Sequence, residues 1–126
     1  MSGATSKLTD STFQAAISGD RPVLVDFWAE WCVSCKELDQ FTFSDPRVQA
    51  RLQDVLVLRA DVTANNADDQ ALLRRFSLFG PPGIIFFDPQ GQEVAYRVIG
   101  FESADKFLKS LDRALAPARQ ERTGKL

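Results

Sequence analysis

The chain has 126 residues, 15 basic and 17 acidic side chains, a net charge of -2, and 44% hydrophobic residues. That is one ordinary domain's worth of chain with enough apolar material for a core. The near-balanced charge leaves no electrostatic footprint for nucleic acid and no basic cluster for anionic lipid. The absence of histidine excludes Ser-His-Asp and Cys-His nucleophile systems and His-based zinc sites. Two cysteines without a histidine are too few ligands for a structural zinc, so no metal is expected.

The longest apolar runs, Val55 to Leu58 and Ile84 to Phe87, are strand-length and far short of a membrane span. This domain is therefore not expected to insert into a membrane. The start, Met1-Ser2-Gly3-Ala4-Thr5-Ser6, has no basic-then-apolar signal pattern. Residues 1–7 read as a tag or linker remnant, residues 8–116 as the domain, and 117–126 as a flexible C-terminal tail without an apolar face.

In chain order, Thr9 or Asp10 is expected to cap a first helix that buries Phe13, Ala16 and Ile17, with Gly19 ending it. Val23 to Trp28 reads as a buried strand. A helix from about Cys32 is expected to carry Leu38 and Phe41 inward. Ser44-Asp45-Pro46 restarts the helix, with Val48 and Leu52 on its apolar side. Val55 to Val62 is the second strand. Asn65 or Asn66 then caps a helix with Asp68 and Asp69 in its first turn, where the helix dipole favours anions. Leu72, Leu73 and Phe76 form its stripe, and Gly80 closes it. Gly83 to Phe87 and Val94 to Ile99 are strands joined by a turn at Asp88-Pro89-Gln90-Gly91, so they should pair antiparallel. Ser103 caps a last helix with Phe107, Leu108, Leu111 and Leu115 at helical spacing. Strands separated by helices are expected to lie parallel. The fold class is α/β, a central four-stranded mixed sheet flanked by helices on both faces.

The chemistry sits in Trp31-Cys32-Val33-Ser34-Cys35, two thiols three positions apart where a strand gives way to a helix. Backbone N–H groups at a helix start stabilise an anion, and the thiolate is the species that attacks disulfides. Cys32 is expected at the cap, open to a partner. Cys35 lies one turn in, shielded, and resolves the mixed disulfide by attacking Cys32. The competing readings are a pair of core cysteines, an inert local disulfide, or an iron–sulfur site bridging two chains. The strand–motif–helix context favours the exchanger. Asp26 lies in an otherwise apolar strand, where a carboxylate is costly unless paired or protonated.

Asp26-Phe27-Trp28-Ala29-Glu30-Trp31-Cys32 followed by Cys35-Lys36 resembles the active-site stretch of the thioredoxin family. Val33-Ser34 stands where thioredoxin has Gly-Pro. Cys35 to Asp39, Thr42 to Val48 and Asp61 to Asn65 are similar to the C-terminal periplasmic domain of the DsbD family of bacterial inner-membrane thiol:disulfide interchange proteins. The resemblance implies a thioredoxin-like fold and a protein-disulfide reductase with no cofactor beyond the Cys32–Cys35 pair. It implies a periplasmic domain of an inner-membrane protein, expected here as a monomer. Electrons would come from the membrane-embedded domain and pass to the N-terminal domain, which serves protein disulfides and cytochrome c biogenesis. A free-standing thioredoxin and a redox-inert binding module of the same fold are the alternatives. The non-thioredoxin flank argues against the first, and the intact cysteine pair with Asp26 and Pro82 against the second.

The same resemblance assigns roles around the pair. Asp26 matches the acid that exchanges a proton with the second cysteine, against a structural salt bridge, and Asp39 a second acidic position, against a plain reading as a solvated helix face. Pro82 matches a cis proline that faces the cysteines. Pro81 departs from the pattern, because it has no N–H to give a docked partner, and Gly83 replaces a threonine. Gly100 matches a position where a partner's backbone comes close, and Phe101 lines the same surface. Trp31 is expected as a partly exposed lip useful for contact, and Trp28 and the remaining Phe residues as core. Asp26, Glu30, Glu37 and Asp39, opposed only by Lys36, are expected to make Cys32 a poor thiolate until a partner docks.

Overall fold

The computed structural model describes residues 7–115. The expected remnant, apart from Lys7, and the expected tail lie outside the described residues. Five α-helices, α1 (Phe13–Ile17), α2 (Val33–Glu37), α3 (Pro46–Arg51), α4 (Ala67–Arg75) and α5 (Ala104–Leu115), alternate with four strands. These are β1 (Val23–Trp28), β2 (Leu56–Asp61), β3 (Gly83–Phe87) and β4 (Glu93–Ile99), and a π-helical turn at Leu38–Thr42 continues α2. Local signals explain most boundaries. Asp45 caps α3 with Pro46 in its first turn, the arrangement in which proline's missing N–H is harmless. Asn66 and Asp69 form a reciprocal capping box at α4, satisfying two otherwise orphan N–H groups. The first helix starts later than expected, capped at Thr12 and ended at Ser18.

The sheet order is β2-β1-β3-β4. β2 runs parallel to β1, and β4 antiparallel to β3, as expected. β3, however, is antiparallel to β1, with Gly83 opposite Phe27 and Phe87 opposite Val23. The parallel rule holds for crossovers that return the chain to the starting end of a sheet. Here α4 and the loop 76–82 bring it back in at the end where β2 stops, so β3 runs the other way. The consequence is functional: Pro82 enters the sheet beside the C-terminal end of β1, where the cysteine motif begins.

Side chains alternate across the strands and build two apolar layers. Val23, Val25 and Phe27 of β1 pack with Phe13 of α1 and Leu72 of α4, and this layer also holds Cys32 and Cys35. Leu24 packs on the other face with Leu38, Val48 of α3, and Phe107 and Leu111 of α5. The π-helical turn adds a residue, so Leu38 and Thr42 point inward while Phe41, expected inside, is exposed. Phe79 is likewise fully exposed rather than core.

Phe13 is wholly buried, with its ring 4.8 Å from Phe76 and 5.4 Å from Phe87. Phe13→Ala is expected to cost about 3–5 kcal/mol of stability in urea unfolding, the scale for emptying an aromatic site. A loss well under 1 kcal/mol would mean this layer is not the core.

Candidate active site

Central strand β1 ends at Trp28, and a turn closed by the Cys32 N–H bonding to the Ala29 carbonyl lifts the chain over the sheet end into α2. Cys32 is the N-cap of that helix, and its sulfur accepts from the Cys35 N–H at 3.1 Å. The two sulfurs form a disulfide, with Cα atoms 5.2 Å apart. Cys35 is 1% exposed, its sulfur 3.8 Å from the Phe27 carbonyl oxygen, and Cys32 is 7% exposed. The outer and inner order is as expected, but Cys32 offers only a narrow opening.

The rim around that opening is apolar. Trp31 and Val33 are exposed beside Cys32, and Phe101 is partly so. The Trp31 indole is held by its Nε1–H bonding to the Thr63 carbonyl at 2.9 Å, and the Thr63 hydroxyl accepts from the Glu30 N–H at 2.8 Å. The Pro81–Pro82 peptide is cis. The Pro82 carbonyl accepts from the Gly100 N–H at 3.4 Å, and Gly100 has φ +87°, a conformation that side chains other than glycine's rarely adopt. A Cβ at Gly83 would meet the Leu78 side chain at 3.2 Å, so Leu78 takes up the room a larger residue there would need.

Below the rim lies a charge cluster. Asp26 projects to the α3 and α5 side of the sheet, and no hydrogen bond joins it to Cys35 among the described residues. The Arg59 guanidinium, one strand over on β2 and directly opposite Asp26, donates to Asp26 Oδ2 at 3.2 Å and to Asp39 Oδ1 at 2.6 Å. The same guanidinium stacks on the Trp28 ring at 4.8 Å, and Trp28 Nε1–H donates to Asp39 Oδ2 at 3.1 Å. Asp39 is therefore not a free solvated acid, and Trp28 is not simply core. The expected opposition by Lys36 alone is corrected as well. Lys36 pairs with surface Glu30 at 2.7 Å, and Arg59, which the sequence reading passed over, answers the two acids nearest the core. Its signal was one cation in an apolar strand, matching one acid in another.

Asp26 is 3% exposed and its Oδ1 has no partner among the described residues. Burial pushes its carboxyl up from 3.8 to about 7; Arg59 pulls the other way, and the charge of Asp39 adds to the rise. Asp26 also lines a cavity of about 540 Å³ between β2 and α3, with Phe43, Leu52 and Arg59.

With fold and site in place, the class is clear: a thioredoxin-like domain with a Cys-x-x-Cys disulfide beside a cis proline. The family described as Thioredoxin-like domain matches residues 9–115, and the chain belongs to it. It is 59% identical over 110 residues to the thiol:disulfide interchange protein DsbD of Ralstonia nicotianae, which covers 87% of this chain and 18% of that protein. DsbD of Yersinia pestis is 50% identical over 97 residues, 76% of this chain and 16% of the relative. The oxidised C-terminal domain of Neisseria meningitidis DsbD superposes with a TM-score of 0.72 at 34% identity, covering 86% of this chain and 99% of that one. A thioredoxin from Thermus thermophilus gives 0.63 at 30% identity, covering 80% and 76%. The chain thus spans under a fifth of the DsbD proteins it matches but nearly all of a DsbD C-terminal domain.

A raised carboxyl makes stability depend on pH. Below about pH 4 Asp26 is protonated both folded and unfolded; between there and pH 7 only the folded state keeps the proton. Its contribution is full at low pH and lost as pH rises through 7, a swing of about 4 kcal/mol. Asp26→Asn is expected to gain stability relative to wild type between pH 4.5 and pH 8 (roughly the window of that swing), measured by urea unfolding at both. A constant difference would mean that Asp26 titrates as an ordinary surface acid.

Proposed function

We propose that this domain relays electrons by dithiol–disulfide exchange, from a membrane-embedded redox domain to a periplasmic partner domain of the same DsbD-like protein. One observation carries this reading: the Cys32–Cys35 disulfide sits at the end of β1, with Cys32 at a narrow opening and Cys35 covered, beside Pro82. In the reduced domain the Cys32 thiolate attacks one sulfur of the partner's disulfide. A Cys32–partner bond forms and the partner's other sulfur leaves as a thiolate. Cys35 then gives up its proton and attacks Cys32, closing the internal disulfide and releasing the partner as a dithiol. Two electrons have moved to the partner, and its two thiolates take up their protons from the solvent.

Asp26, buried and proton-binding near neutrality, is the acceptor for the Cys35 proton, the role that its match in thioredoxins supports. Asp39 acts through Arg59 rather than on sulfur. Trp31, Pro82 and Gly100 form the surface that receives an extended partner segment, and Pro81 contributes shape without a hydrogen bond. The resemblance to DsbD supports a periplasmic location, the N-terminal and membrane domains as partners, and cytochrome c biogenesis among the processes served. Among the described residues no helix is long and apolar enough to cross a membrane.

Cys35→Ser is expected to accumulate a partner-linked adduct through Cys32 in a periplasmic extract, released by dithiothreitol and identified by mass spectrometry. Cys32→Ser is expected to give none. Adducts formed equally by both variants would overturn the order of attack.

A further inference from the structure

Glu102 takes no part in the thiol chemistry, yet it is a carboxylate only 9% exposed. Among the described residues no Lys or Arg forms an ion pair with it. Instead its Oε1 accepts from the Ser110 hydroxyl at 2.7 Å, and Ser110 Oγ lies 2.9 Å from the Tyr96 hydroxyl. Ser110 has a single proton and spends it on the carboxylate, so Tyr96 is the donor to Ser110. The Glu102 carbonyl accepts from the buried Thr42 hydroxyl at 2.6 Å. The Glu102 side chain thus ties its segment to α5 through Ser110 and, one step on, to β4 through Tyr96, while the main-chain carbonyl of the same residue holds Thr42 of the π-helical turn.

A buried carboxylate is expensive, and an apolar side chain would fill the same space. What the acid supplies is a fixed direction, because its hydrogen bonds have one geometry and apolar contacts have many. The segment it fixes is Gly100–Phe101, held at its other end by the Gly100 N–H on the Pro82 carbonyl. We propose that Glu102 is a positioning residue for partner docking. Its side chain sets Gly100 and Phe101 against α5 and β4, so that an incoming protein meets a formed docking surface beside Cys32. This rests on the exchange reading given above.

The test compares reduced wild type, Glu102→Ala, Glu102→Gln and Ser110→Ala on two oxidants. One is the oxidised N-terminal domain of Ralstonia nicotianae DsbD; the other is oxidised glutathione, a disulfide that leaves Phe101 largely untouched. Glu102→Ala is expected to raise KM for the protein roughly threefold to tenfold, the scale of one hydrogen bond, with kcat little changed and glutathione kinetics unaltered. Ser110→Ala should move the same way. Glu102→Gln should stay near wild type, since its amide oxygen still accepts from Ser110. If Glu102→Ala does not fold, Tyr96→Phe, which keeps the core filled, must give the same direction. An unchanged protein KM, an equal change on both oxidants, or a Gln variant as poor as Ala overturns the proposal. If wild type fails on the N-terminal domain, the partner assignment fails by itself, and the same comparison on insulin disulfides decides Glu102. A wild type that reduces no protein disulfide overturns both.

Discussion

The site exists because β3 pairs with β1 in the antiparallel sense. The ladder from Val23–Phe87 to Phe27–Gly83 fixes the height of Gly83 relative to the end of β1, and therefore that of Pro82 relative to Cys32. Both strands are almost wholly buried, so sliding one residue would turn each apolar side chain into the wrong layer. The register is thus held by the whole core. Helix α2 adds the second coordinate by starting over the sheet end, with its cysteines in one apolar layer and Leu38, a turn later, in the other.

Within that frame the difficult residue is Asp26. Burial favours its neutral form, and Arg59 opposes this without winning, because the guanidinium is shared with Asp39 and is itself about a third exposed. A closer, unshared cation would hold the carboxyl ionised throughout the neutral range; no cation at all would leave it fixed as an acid. The shared arrangement leaves it able to take or release a proton near the pH at which the exchange must run. Trp28 completes the arrangement by fixing both Arg59, through its ring face, and Asp39, through its indole N–H.

What was legible in the sequence was local or periodic. The Cys32-Cys35 spacing after an apolar run, the asparagine cap of α4, the Pro46 restart and the stripe of α5 each announce themselves within a few residues, and each stands where it was expected. The direction of β3 was not legible, because it depends on how the connection through α4 packs over the sheet, a non-local quantity. The π-helical turn that expels Phe41 has no residue signature of its own. Arg59 was half legible: an isolated cation in β2 and an isolated acid in β1 are both visible, but their register is not. Glu102 looked like an ordinary surface acid ahead of a helix cap, since nothing near it in sequence says that Ser110 and Thr42 will converge on it.

The residues missed share a physical type: polar side chains that cross-link elements. Apolar layers set which elements meet, but their contacts are soft in direction, and a core of Leu and Phe admits small rotations at little cost. A thiol exchanger cannot tolerate such slack at its rim, because in-line attack needs the reacting atoms held close to a separation of about 3–3.5 Å. The Arg59 side chain and the main-chain carbonyl of Glu102 grip the same π-helical turn from two sides, through Asp39 and the Thr42 hydroxyl. That turn is the continuation of the helix bearing Cys35. The sulfur pair is thereby referenced to β2 on one side and to the Gly100 segment on the other, while the sulfurs remain free to open and close.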